Sequence, residues 1–331
     1  MIGRIFAVGL AVAATMGVGP AAQAQGRITI GTNPQGTLYY TIGGGIAAAL
    51  QDGLQRQVTV QPFTGSSVYV PLIAADEVTV GLNSSIDVGG WYRGDYGNDP
   101  YTGMRVLARL WPLRQAFAVR ADSGMTEVAD LVGKRVVTAV SSQQATGRVN
   151  VATLIAGGVS EDQVEGVTVA GLAQGMEGLT EGTLDASGVA VGIPLTQQAH
   201  ATIPGGIRYL SITGDDATDE VIGEAYPGVY LMQVDPNPRM PEVTDPVTIS
   251  AYDVFLTTSA NLSDADATAI LSALWDALPQ LKTDYPALAT ASQDRMAAPT
   301  NTVPYHPAAV AFFTEKGLWT DQNTAHEATL D

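Results

Sequence analysis

The chain has 331 residues and a formal net charge of −17, from 16 basic and 33 acidic side chains. At 46% hydrophobic and 15% charged it has the composition of a folded protein, and at roughly 150 residues per domain it makes one large domain or two ordinary ones. Its acidity disfavours nucleic acid and anionic membrane surfaces as partners, and the absence of cysteine excludes disulfides, thiolate catalysis and cysteine-ligated metals.

Residues 1–24 have the pattern of a secretory signal: Arg4, the apolar run Ile5–Val18, and the small-x-small triplet Ala22-Gln23-Ala24. The run is too short for a membrane span, which needs about 20 residues. Cleavage after Ala24 is expected to leave an exported, soluble, periplasmic protein, one unit more negative because Arg4 is lost. An uncleaved anchor is the weaker alternative, since Gln25–Arg27 leads straight into a strand.

Arg27–Gly31 is a short apolar run ended by glycine, followed by Ile42, Ile46, Ala49 and Leu50 at helical spacing. Gln57–Phe63 alternates as a second strand, Val68–Ala75 has helical character, and Val78–Leu82 forms a third strand. This βαβ order predicts an open, mostly parallel sheet. Further strands are predicted at Lys134–Val140, Val164–Ala170, Asp185–Val191 and Gly206–Ile212, with a helix over Thr146–Ala156. Together they form a second α/β unit.

Two segments join the units. Arg105–Arg120 begins as a strand, is interrupted at Pro112 and resumes at Gln115. Pro227–Pro246 is a proline-rich polar connection, and it precedes the long alternating strand Val247–Thr258. Ser263 then opens a helix through Leu281, with Asp264 and Asp266 near its positive end, and Ala308–Gly317 is a last short helix. One lobe is thus assembled from both ends of the chain, 25–114 and 250–331, with the second, 115–249, inserted. Open sheets of this kind bind ligands beyond the carboxyl ends of their strands and between lobes.

Four strand-to-helix loops are small, polar and almost uncharged, which suits hydrogen bonding to a small polar or anionic molecule. Their candidate binding residues are Gly36, Thr37, Tyr39 and Tyr40; Thr64, Gly65, Ser66 and Ser67 with Tyr69; Asn83 and Asp87; and Ser141, Gln143, Gln144, Ala145 and Thr146. Taken singly, each loop suits capping as well as binding. Backbone N–H groups at the helix starts suit a carboxylate. Asp87 either faces a ligand amine or hydroxyl or caps a helix in solvent. Arg93, Arg109, Arg114 and Arg148 are candidate carboxylate clamps, and Tyr39, Tyr69, Trp91 and Tyr92 form either an apolar wall or core.

Catalysis has little support. His200, His306 and His326 are far apart and no Gly-x-Ser-x-Gly motif is present. Gly94–Asp99 lacks the length and terminal glutamate of an EF-hand loop, and Asp215, Asp216, Asp219 and Glu220 read as a solvated acidic turn. No enzyme activity, metal or cofactor is expected.

The motifs Gly31-Thr32, Gly36, Tyr39-Tyr40 and Gly44, then Thr64–Tyr69, then Gly81-Leu82-Asn83 with Asp87, resemble those of the TAXI family of solute receptors of TRAP transporters. Ala121–Gly124, Asp130–Val136, Asp185-Ala186, Gly192-Ile193-Pro194 and Pro304–Ala309 extend the resemblance over the whole mature chain. It implies a type II periplasmic binding-protein fold: two lobes with open mixed sheets and a hinge formed by two crossing strands. It adds Gly192 and Pro194 to the candidate site. It also implies a monomer that takes up an anionic or zwitterionic solute, such as an amino acid, 2-oxo acid or dicarboxylic acid, and delivers it to TRAP membrane subunits. A periplasmic sensor subunit with the same ligand chemistry is the alternative. The chain departs from the family pattern at Gly65-Ser66-Ser67, where Gly-Gly-Ser is common, and at Gln143–Thr146, in place of a Gly-Ser-Gly-Thr-like loop.

Overall fold

The computed structural model describes residues 26–330; the signal segment and its cleavage site lie outside the described residues. Strand β1 (Ile28–Thr32) is buried at every position and lies between β2 (Val58–Pro62) and β3 (Val80–Ser84), parallel to both. This burial on both faces is what a central parallel strand requires. Helix α1 (Leu38–Leu54) starts where the Thr37 hydroxyl accepts the Tyr40 N–H. It buries Tyr39, Ile42, Ile46 and Leu50 on the sheet and ends at Gln55 in the left-handed region. Burying each such side chain contributes roughly 1.5–3 kcal/mol. Helix α2 (Ser66–Ala74) follows β2, and α3 (Ser85–Arg93) follows β3 directly.

Strand β4 (Met104–Arg120) runs unbroken through Pro112, contrary to the expected interruption. Beside Pro112 its one strand neighbour is β10, because β7 (Ser187–Ala190) reaches β4 only from Gln115 onward. The missing N–H therefore breaks no ladder on the second side. β10 (Val247–Ser259) pairs antiparallel with β4 from Ser250 to Ser259. Its second half also pairs with β3, and its first half with β9 (Val229–Val234). β9 lies inside the segment expected to be a polar connection. Its alternating partners on β10, not local composition, make it a strand.

The far half of β4 continues into β7 and β8 (Ile207–Tyr209), and a bridge from Ala186 to Val136 carries the arrangement on to β5 (Arg135–Val140) and β6 (Glu165–Val169). Helices α4 (Gln144–Ala156), α5 (Leu172–Glu181) and α6 (Pro194–Thr202) follow β5, β6 and β7. The acidic turn is corrected in part: Asp219 and Glu220 form the first turn of α7 (Asp219–Ala225), where negative charge suits the helix dipole. In α8 (Asp264–Asp284), Ser263 caps the start and the apolar face packs on α1; α9 (Pro307–Glu315) and α10 (Asp321–Glu327) complete the chain. The result is a two-lobed mixed α/β fold in which β4 and β10 each give one end to either lobe.

Candidate functional site

Five strand-to-helix loops, after β1, β2, β5, β6 and β7, end at the space between the lobes, and α3, which follows β3 without a loop, starts there too. A narrow inner cavity there is walled by Asn33, Tyr39 and Asp87 from one lobe, by Gln143, Thr146, Val189 and Ile193 from the other, and by Leu113, Gln115 and Tyr252 from β4 and β10. It encloses only about 30 Å³, room for roughly one or two water molecules, so the structure is a closed form. Beyond Thr37, Gln143 and Leu172 the space widens to about 680 Å³ between Gly36, Thr64, Ser141, Gly171 and Pro194.

The lobes touch through polar groups. Asn33 Nδ2 donates to Gln143 Oε1 at 3.4 Å, and the Gln144 N–H donates to Ser67 Oγ at 3.1 Å. Gly65 meets the other lobe so closely that a Cβ there would lie 1.8 Å from the Ser142 carbonyl oxygen. Gln115 anchors the hinge side: its amide donates to Thr146 O (3.2 Å) and Asn150 Oδ1 (2.8 Å), while Tyr252 donates to its carbonyl at 3.2 Å.

Among the described residues, Asp87 is the one charged side chain on the inner wall, and it is 4% exposed. It does not cap α3: Ser84 does, its Oγ accepting the Asp87 N–H at 2.9 Å, and Asp87 sits in the first turn, enclosed and not solvated. The Ser84 hydroxyl donates to Oδ2 at 2.9 Å, whereas Oδ1 is buried with no hydrogen-bond partner. Burial pushes its carboxyl up to about 6, against the opposing pull of the Ser66 and Ser84 hydroxyls and the Ala145 N–H. Those of Ser66 and Ala145 lie close enough to act on the charge without satisfying Oδ1. Asn33 Oδ1 in the same wall also lacks a partner, as does Ser142 Oγ at the mouth.

The helix starts divide into two kinds. α1, α3, α7, α8, α9 and α10 each receive a side-chain cap. In α9 that cap is the buried His306 ring. α2, α4, α5 and α6 have none, and all four begin at the cleft, after Gly65, Gln143, Gly171 and Ile193. Their positive dipole ends converge on a space that would suit an anion, with the first N–H of α4, that of Gln144, already held by Ser67.

None of the candidate arginines lines either part of the cleft. Arg109 forms a buried ion pair with Asp253 at 2.7 Å, and Arg93 pairs with Asp95. Arg114 lies against Met240 Sδ, its guanidinium pKa lowered by burial, and Arg148 is exposed on α4. The aromatic wall reduces to Tyr39, which packs edge-on against Trp111. Tyr69 is core and donates to Leu82 O, Trp91 stacks on Tyr101, and Tyr92 donates to Leu330 O.

Other predicted residues also fall outside the cleft wall. Tyr40 is turned to Gln35, Asn83 accepts from Thr257 within the sheet, and Gly192 backs onto Met240. Ser66, Ser67, Gln144 and Ala145 lie at the lobe contact beside Asp87. Asn33, Gln115, Tyr252 and the start of α5 were absent from the expected site. Asn33 and Gln115 carried a signal, the first as an amide in the polar loop after β1 and the second as a polar residue inside an apolar strand.

A family model described as the NMT1-like family matches residues 30–317. A solved structure described as a periplasmic transporter covers 93% of this chain and 97% of its own, with TM-score 0.53 and 14% identity. PhnD1 from Prochlorococcus marinus (MIT 9301) in complex with methylphosphonate covers 80% of this chain and 90% of its own, with TM-score 0.52 and 9% identity. The alkanesulfonate-binding protein SsuA from Xanthomonas axonopodis pv. citri, bound to MOPS, covers 89% and 95%, with TM-score 0.50 and 13% identity. The likeness is one of fold, that of periplasmic solute-binding proteins.

Proposed function

Because the chain belongs to the NMT1-like family, we propose that it is an extracytoplasmic receptor that closes two lobes on a small carboxylate-bearing solute. The lobes comprise 25–114 with 250–331, and 115–249, and they move about β4 and β10. The observation that carries this reading is the convergence of four uncapped helix starts on one cleft. The carboxylate sits at the mouth side, among N–H groups of α4, α5 and α6. No arginine is needed, because the helix ends supply the positive potential.

The signal pattern of residues 1–24 supports export to the periplasm, and the motif resemblance to TAXI receptors supports delivery to TRAP-type membrane subunits by a monomer. The mature protein, unfolded to strip bound solute and refolded, is expected to bind saturably and reversibly in a thermal-shift screen of amino acids, 2-oxo acids, dicarboxylates and small sulfonates. A ligand at a hundred times its Kd should stabilise the fold by about 2.7 kcal/mol. Absence of a shift with every anionic and zwitterionic solute would overturn the reading.

A further inference from the structure

The inner end of the cleft has a chemistry distinct from its mouth. Asp87 Oδ1 and Asn33 Oδ1 are both buried acceptors without donors, and both line the inner cavity. Among the described residues, the same wall holds no lysine or arginine. The amide of Gln115 is already committed to α4 and its carbonyl to Tyr252. An orphaned carboxylate oxygen is costly to bury, and a ligand that brings another acceptor to it would add repulsion to that cost.

We infer that Asp87 and Asn33 form an amine subsite, so that the solute is a zwitterion with a protonated amine at its inner end and its anionic group at the helix starts. The assignment rests on the receptor reading above and narrows it. Amino acids and amino sulfonates fit; 2-oxo acids and dicarboxylates do not. An ammonium group supplies three donors and one positive charge, enough to satisfy Oδ1 of Asp87 and Oδ1 of Asn33 at once. Closure then removes water from the pair, which strengthens it.

The titratable groups that act on Asp87 are the phenols of Tyr39, Tyr69, Tyr96 and Tyr252, all raised by burial and neutral near pH 7. Competition between a proton and the ammonium group for Asp87 therefore makes amine binding weaken below pH 6, by up to about tenfold per unit.

The test uses matched pairs that differ at the amine: L-alanine and pyruvate, L-leucine and 4-methyl-2-oxopentanoate, L-glutamate and 2-oxoglutarate, taurine and isethionate. Calorimetry is run on the refolded mature protein and on Asp87→Asn. In each pair that binds, the amine member is expected to bind at least about 30-fold more tightly. Asp87→Asn should abolish that preference and its loss below pH 6. Equal or tighter binding of the amine-free members to the unaltered protein overturns the amine subsite and leaves the receptor reading standing. Binding of no member of any pair overturns both.

Discussion

Asp87 works against the stability of the empty cleft. Its carboxyl is raised to about 6 in the fold from an ordinary value of 3.8, so between those values the folded state holds a proton that the unfolded chain has released. Stability therefore falls as pH rises through that window, by about 3 kcal/mol for a shift of this size. Asp87→Asn removes the ionisation. It should make the ligand-free protein more stable at pH 7.5 by a similar amount and change little at pH 4, as urea denaturation at both values would read. A site residue that lowers stability while it binds ligand is the usual trade between the two. Gly65 makes the complementary case. A methyl group there would collide with the Ser142 carbonyl of the other lobe in the closed form. Gly65→Ala should destabilise this closed form and weaken solute binding by at least about tenfold, read by titration calorimetry, because closure is what it obstructs.

Two long strands carry the hinge, and one buried ion pair joins them. Arg109 on β4 and Asp253 on β10 lie 2.7 Å apart, with Tyr230 and Thr300 donating to the same carboxylate. Removing one partner leaves the other charge buried, so Arg109→Ala should cost about 3–5 kcal/mol in denaturant unfolding. It should have a far smaller effect on which solute is chosen.

Helices α5 and α6 show how little local preference decides. The α5 sequence contains Gly175 and Gly178, which are poor helix formers. Yet Gly175 is required by the approach of Ser187, whose Oγ would lie 2.5 Å from a Cβ there. Packing on β7 makes the helix, and the periodicity of the sequence alone did not announce it. α1 and α8 were legible because capping residues and apolar spacing agree.

Over the whole molecule, the net charge of −17 opposes capture of an anion and is nearly neutral toward a zwitterion. Salt screens such a field over about 10 Å at 0.1 M. Dicarboxylate binding would tighten on raising salt from 50 to 500 mM, whereas the Kd of the proposed zwitterion should change by less than about threefold; titration calorimetry at both concentrations measures the difference.

Most of the alternation of strands and helices, the long strand over Val247–Thr258 and the polar loops after β1, β2 and β5 were readable from residue order, because turn chemistry and hydrophobic period are local properties. Position in the cleft was not. Arg109 looked as free to bind a carboxylate as any arginine until β10 brought Asp253 beside it from 144 residues away. Asp87 suited a solvated helix cap as well as a ligand contact, until the fold gave the cap of α3 to Ser84 and packing sealed off one Asp87 oxygen. Burial and partnership are set by groups remote in sequence, so they alone decide which polar side chain is satisfied and which is left for a ligand.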